Sequence, residues 1–361
     1  FNGVPVHDCD ENVQQILSDL GFESMGDGER YIRGGVVDPM PRKKINRILF
    51  HHHSLHQKTR HENETIALDH LDELRDDFAL RGRCEMFRVD LKSMAAAHQL
   101  HQGTNLRGHL VWAKMPHFQR LLTIRNVQAP EEDEDILQFF REHHDPTIYM
   151  ERHAMRRGEF RKLISPLVRS GHLVQDYRGG FKTVEPITSS DLWEVKRDFL
   201  RDLVKDYPVI TLKQVERLAG SPFSAEEISD VMREFEEDDT LIKGFLVDDM
   251  HDVCWGRHDM LENSDVLTKT RDLVIPPSDP LIHYYGSLLR EKFGYGSAYL
   301  VFHREEPVAA FKANTRAGVI QITDFVGDSD LEKEALRVMK EFAWEHDMPL
   351  KGKLYERLRS R

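Results

Sequence analysis

The sequence predicts an α+β protein made of tandem winged-helix domains followed by a small antiparallel-sheet α+β domain. Three observations predict it. In 134–186, apolar residues recur at helical spacing (Ile136, Leu137, Phe140; then Phe160, Leu163, Ile164, Leu167, Val168). Gly171 ends the last helix, and HLVQDY and FKTVEP flank a Gly179-Gly180 turn as a hairpin. The stretch 191–250 repeats this helix, helix, helix, wing order as a pattern rather than an identity. From about Leu273 the pattern changes to a strand, a Pro-Pro turn, a helix, a meander of three strands and a closing amphipathic helix.

Residues 1–40 read as an N-terminal appendage. ENVQQILSDLGF puts Val13, Ile16, Leu17 and Leu20 on one helical stripe, and RYIRGGVVDPMP follows as strand, turn and breaker. Residues 41–128 read as a helical and mixed domain. Its first helix is basic (Arg42, Lys43, Lys44, Arg47) and rich in histidine. On a helix, His52 and His56 share a face at metal-ligand spacing; without a third ligand at a matching offset, a polar His-rich face is the other reading, and no metal site is expected. Ile66, Leu68, Leu71, Leu74 and Phe78 continue as an amphipathic helix, and 84–89 reads as a strand or buried turn. DLKSMAAAHQL reads as a helix with Asp90 as its N-cap, and GTNLRGHLVWAKM as loop then strand. Trp112 has Arg107, Lys114 and Arg120 near it in sequence, the pairing of a stacking surface; packing in a core is the alternative.

Charge separates the two repeats. In the first, 129–188, Arg152, Arg156, Arg157, Arg161 and Lys162 lie in or just before the third helix, and Arg178 and Lys182 lie on the wing. A groove-reading helix and its hairpin meet phosphate at those places. A solvated basic face is the alternative. In the second, 189–262, Ser224 and Glu227 form a capping box. Its third helix carries Glu226, Glu227, Asp230, Glu234, Glu236 and Glu237 against Arg233 alone, so this unit reads as a spacer or protein-contact module. The C-terminal α+β domain spans 272–350, with helices expected on one face of its sheet.

The chain of 361 residues is 40% hydrophobic and 31% charged, a globular profile with no membrane span. At a formal net charge of -12, a nucleic-acid contact is a local patch against a repulsive background, hence salt-sensitive. Three widely spaced cysteines form no CxxC and no disulfide framework, and no secretory pattern opens the chain; a cytoplasmic location is expected. There is no G-x-x-x-x-G-K-[ST], hence no P-loop motor, and no cofactor is expected. The start in mid-pattern at Phe1 is what a piece of a longer protein shows.

Three stretches carry a family resemblance. They are LVIPPSDPLIHYYGSLLREKFG with YLVFHREEPVAAFKANTRAGVIQITDF, FRKLISPLVRSGHLVQDYRGGFKTVEP, and VITLKQVERLAGSPFSAEEISDVMREFEEDDTLIKGFLVDD. Their order resembles the winged-helix DNA-binding proteins that include the YcaQ-like DNA glycosylases and the C-terminal region of the large helicase-related (Lhr) proteins, over about 84–349. The resemblance implies DNA, duplex or forked, as partner, a role in repair or processing, and a helicase motor domain in the same polypeptide or in trans. In the glycosylase branch it implies a Gln-x-Gln or Gln-x-Asp pair that holds the attacking water. The matching place is Arg88-Val89-Asp90, with Asp90 as the acidic member and Arg88 where the glutamine would stand. A cleft near Asp90 reached by Arg88, Gln99, Gln102 and Arg107 is then expected. Three functions stay open: an Lhr-type DNA-binding module, a monofunctional DNA glycosylase using Asp90, and a protein-interaction scaffold.

Overall fold

The computed structural model describes residues 22–24, 31–33, 39–56, 72–75, 78, 91–188, 191–238, 240–248, 252–262, 267–316 and 318–359. The fold is α+β. A ribbon of β1 (Phe22–Ser24) and β2 (Tyr31–Arg33) comes first. Helix α1 (Arg42–His52) follows and buries Ile45, Ile48, Leu49 and Phe50. The helix expected through Leu74 is interrupted there. Leu74 instead pairs its backbone with Trp112, through bonds of 2.9 and 2.8 Å, and so extends a sheet. The appendage helix at Val13–Leu20, the stretch 84–89, Arg88 and Asp90 lie outside the described residues.

Next come α2 (Leu91–His98), β3 (His101–Thr104), β4 (Leu110–Ala113) and α3 (Met115–Arg125). The sequence conceals β3, because His-Gln-Gly-Thr has no alternation of apolar residues. It is a strand because both its edges are paired, in the order β4-β3-β5-β6. The hairpin of β5 (Leu173–Gln175) and β6 (Phe181–Thr183) is therefore half of a four-stranded sheet, with Gln102 opposite Gln175. Gly103 lets α3 close on that sheet: a Cβ there would stand 2.7 Å from the Phe118 ring and 2.8 Å from Val174.

Between α3 and the hairpin lie α4 (Glu134–Glu142), α5 (Pro146–Arg152) and α6 (Arg157–Ser170). Phe140, Tyr149, Phe160 and Phe181 pack together with Ile136, Leu137 and Leu173. Asp145 caps α5 by accepting from the Thr147 N–H at 2.8 Å. Gly171 ends α6 at φ +91°, a conformation without penalty for glycine. Asp176 Oδ1 closes the hairpin turn by accepting from the N–H groups of Arg178 and Gly180, each at 2.8 Å.

The second unit comprises α7 (Leu192–Lys205), β7 (Val209–Thr211), α8 (Leu212–Ala219), α9 (Ala225–Glu237), β8 (Leu241–Gly244), β9 (Cys254–Arg257) and α10 (His258–Glu262), with sheet order β7-β9-β8. The Ser224–Glu227 capping box is present: Ser224 Oγ accepts at 3.1 Å and the Glu227 carboxylate at 2.8 Å.

The C-terminal part contains β10 (Leu273–Ile275), α11 (Leu281–Tyr284), α12 (Gly286–Phe293), β11 (Tyr299–His303), β12 (Glu306–Arg316), β13 (Val319–Gly327), α13 (Glu332–Glu345), β14 (Leu350–Lys351) and α14 (Lys353–Arg359). Its sheet runs β10-β11-β12-β13-β14, antiparallel except for the parallel pair β13–β14. Both faces are covered, not one. Val301, Phe311, Ile320 and Ile322 share a core with α13 and α14. Leu273, Ile275, Leu300, Phe302 and Ala310 share another with α1, α8 and α9. The reason is visible in the strands: YLVF and PVAAF are continuously apolar, so neither face suits water. Polar bonds pin α1 to this sheet. Arg47 is bidentate to Glu305 (2.8 and 2.7 Å), Asn46 donates to the Glu305 carbonyl (2.8 Å), and Tyr285 donates to Asn46 (2.8 Å).

Candidate nucleic-acid interface

Helix α6 is amphipathic in the ordinary way: Phe160, Ile164 and Leu167 point inward. Its outer side presents Arg157, Arg161, Lys162 and Arg169, all exposed. Arg152, at the end of α5, and Arg156, the N-cap of α6, are also exposed. Among the described residues none of Arg152, Arg156, Arg157, Arg161 and Lys162 is paired with a carboxylate. Glu159, the acid of the first turn, is occupied by the Arg156 N–H at 2.8 Å. Free cations on a rigid helix are what a phosphate backbone requires.

The wing residues divide. Arg178 is exposed at the hairpin tip, its guanidinium 5.2 Å from the centre of the Tyr177 ring. Lys182 does not join α6. Alternation along β6 puts it with Val174 on the α3 side of the sheet, beside His101. There burial, then the Lys182 charge, lowers the pKa of the His101 imidazole.

The acidic helix α9 is different in kind. Glu227 is bound to Lys196 (2.6 Å), Glu234 to Arg201 (3.0 Å), and Glu236 to Lys243 (3.3 Å). Much of its charge is therefore turned inward to α7 and β8, and only some of it faces solvent.

The cleft expected around Asp90 has its two leading residues, Arg88 and Asp90, outside the described residues. Its other members are not gathered on one face. Gln102 stands opposite Trp112 on β3–β4, whereas Arg107 lies in the following turn, 3.7 Å from Glu73. Gln99 is the turn residue after α2, at φ +54°. Trp112 is half-buried within the sheet. The histidines are likewise rearranged: α1 stops at His52, so His52 and His56 share no helical face. Instead His51 stacks on His56 (4.0 Å between ring centres) and bonds the Thr268 carbonyl (2.8 Å). Among the described residues no group of three or more His, Cys, Asp or Glu side chains could hold a metal.

One constellation escaped sequence reasoning. Glu73, beside β4, meets His117 of α3 at 3.0 Å and Asn105 at 2.6 Å. Since Leu74 is the residue opposite Trp112, alternation sends Glu73 to the α3 side, away from Trp112. Burial by itself would raise the Glu73 carboxyl, but His117, Arg107 and Asn105 outweigh it and hold the pKa below the usual range. Arg107, His109 and Arg75 also converge on His283, which burial first and these charges second push down to about 3. The turn signal Asn105-Leu-Arg-Gly108 was legible. That Asn105 and His117 would meet Glu73, 32 and 44 residues away, was not.

No family model matches the sequence, and no curated protein does. Among solved structures the chain is similar to the Streptomyces sahachiroi DNA glycosylase AlkZ, with a TM-score of 0.60 and 11% sequence identity, over 87% of this chain and 100% of that one. The chain and that structure share their overall α+β architecture. At 11% identity the likeness is one of architecture, and no helix among the described residues is long and apolar enough to cross a membrane.

Proposed function

We propose that this protein binds DNA and acts in DNA repair, and that its reaction is the removal of a damaged base. The observation that carries the reading is the unpaired cationic side of α6, in a chain of net charge -12 whose fold spans the full length of a DNA glycosylase. Phosphate binding supplies non-specific affinity, and base removal needs the target nucleotide turned out of the duplex. The reading as an accessory module beside a helicase motor explains the same helix, but the likeness of fold lends it no separate support. A scaffold role rests on the acids of α9, several of which are already paired within their own unit.

The test has two arms. Binding to a fluorescent duplex is expected at low salt, and charge reversal at Arg156 and Arg161 is expected to abolish it. Release of base is expected from a duplex carrying uracil or an alkylated purine. Absence of duplex binding at any salt would defeat both the repair and the helicase readings.

A further inference from the structure

Resting on the glycosylase reading, we propose that His117 is the general base that activates water for base removal and that Glu73 is the residue that positions it. Three separate elements build this pair. Glu73 comes from the segment alongside β4, His117 from the first turn of α3, and Asn105 from the β3–β4 turn. Glu73 Oε1 lies 3.0 Å from His117 Nε2. A carboxylate acceptor places the ring proton on Nε2 and leaves the lone pair on Nδ1. Nδ1 has no hydrogen-bond partner among the described residues, so it is free to take a proton.

The support is rigid. Glu73 Oε2 accepts from Asn105 Nδ2 at 2.6 Å, and Asn105 Oδ1 accepts from the N–H groups of Arg107 and His109 at 3.1 and 2.9 Å. Arg125 clamps the same turn through the carbonyls of Thr104 (2.8 Å) and Asn105 (2.6 Å). A pair held this way needs no rearrangement at the moment of reaction. The side chains of His117 and Glu73 are 12% and 16% exposed, shielded yet not sealed. The other charged or titratable groups facing the pair are Asp72 on the same segment, Arg107 and His109 around the β3–β4 turn, Arg125 on α3 and His283 on α11. Arg75 and Arg107 suit the phosphates that flank a nucleotide.

In the step itself, His117 Nδ1 takes a proton from water while the water oxygen bonds to C1′ of the damaged nucleotide. The C1′–N bond breaks, its electron pair leaves on the ring nitrogen of the base, and the proton on His117 returns to solvent. The products are a free base and an abasic sugar.

The probe is a duplex containing 7-methylguanine, whose positive charge lets it depart without an acid and so isolates activation of water. His117→Asn is expected to slow single-turnover release about 100-fold with duplex affinity unchanged within about twofold. Glu73→Gln is expected to slow single-turnover release about tenfold with duplex affinity unchanged within about twofold, because the carboxylate that orients the ring is lost, and Glu73→Asp is expected to recover part of that rate. A purely structural role would lower thermal stability and duplex affinity together, without this split between affinity and release rate. Should Glu73→Gln not fold, His117→Asn decides alone. Wild-type release rates in His117→Asn or in folded Glu73→Gln overturn this inference and leave the glycosylase reading standing. A wild-type protein that binds duplex and releases no base overturns the glycosylase reading and this inference with it.

Discussion

Glu305 shows what one buried carboxylate holds in this molecule. Its side chain is 4% exposed and accepts from Arg47 twice and from the Thr270 N–H. Burial would raise its carboxyl, but Arg47 and Thr270 outweigh burial and leave the pKa lowered from 4.5. The folded state thus binds the proton less readily than the unfolded one, so the stability that Glu305 contributes is complete above the unfolded value and lost as pH falls through the folded one. Glu305→Gln is expected to cost about 2 kcal/mol at pH 7 in a urea titration, with the difference shrinking as both proteins are acidified. His283 acts in the same sense with the opposite charge. Its folded pKa of about 3 lies below the unfolded value of 6.5, so between those pH values only the unfolded chain takes up the proton. Stability should fall on acidification through that window, and His283→Gln should flatten the fall when denaturation midpoints are measured against pH.

At the scale of elements, α6 and α9 carry opposite charge. The decisive difference lies in what that charge meets. The cations of α6 have no acidic partner among the described residues, while Glu227, Glu234 and Glu236 of α9 are bound by Lys196, Arg201 and Lys243. Reversing Arg157 and Arg161 is therefore expected to weaken duplex binding at least about tenfold at about 50 mM salt. It should also make the plot of log affinity against log salt shallower by roughly 0.9 for each phosphate that is no longer neutralised. Neutralising the exposed Glu226 and Glu237 should change that slope little, a comparison that fluorescence anisotropy can make directly. Beneath α6, a side chain at Gly103 of β3 would have to displace Phe118 and Val174. Gly103→Ala is expected to cost about 1–3 kcal/mol through crowding of Phe118 and Val174, measurable by thermal melting.

For the whole molecule, the largest consequence is one core shared by distant parts. Leu49 and Phe50 of α1, Val215 of α8, Phe235 of α9 and Phe302 of β11 belong to a single cluster. Phe50 meets Phe302 edge-on at 5.0 Å. The α4–α6 unit has its own cluster around Phe140. Phe302→Ala is therefore expected to destabilise the second unit and the C-terminal sheet together by about 3–5 kcal/mol. In urea, emission from Trp255, which lies in the shared core, should then fall in one transition with the far-ultraviolet circular dichroism of that core. Phe140→Ala should leave the Trp255 transition nearly in place.

The sequence by itself determined what depends on residues close along the chain. It located α6 and its Gly171 terminus, the Ser224–Glu227 cap, the hairpin turn, the apolar strands of the last sheet and the contrast in charge between α6 and α9. Helical periodicity, caps and turns act within a few residues, so they can be read locally. Tertiary structure decided everything that needed a partner from elsewhere. His-Gln-Gly-Thr is a strand only because two other strands flank it. Lys182 leaves the α6 side because the register of β6 turns it toward His101. Burial on both faces of the last sheet depends on α1, which lies far from it in sequence. The meeting of Glu73 with His117 is of the same kind: neither residue has a distinctive neighbourhood, and only the pairing of Leu74 with Trp112 brings the two together.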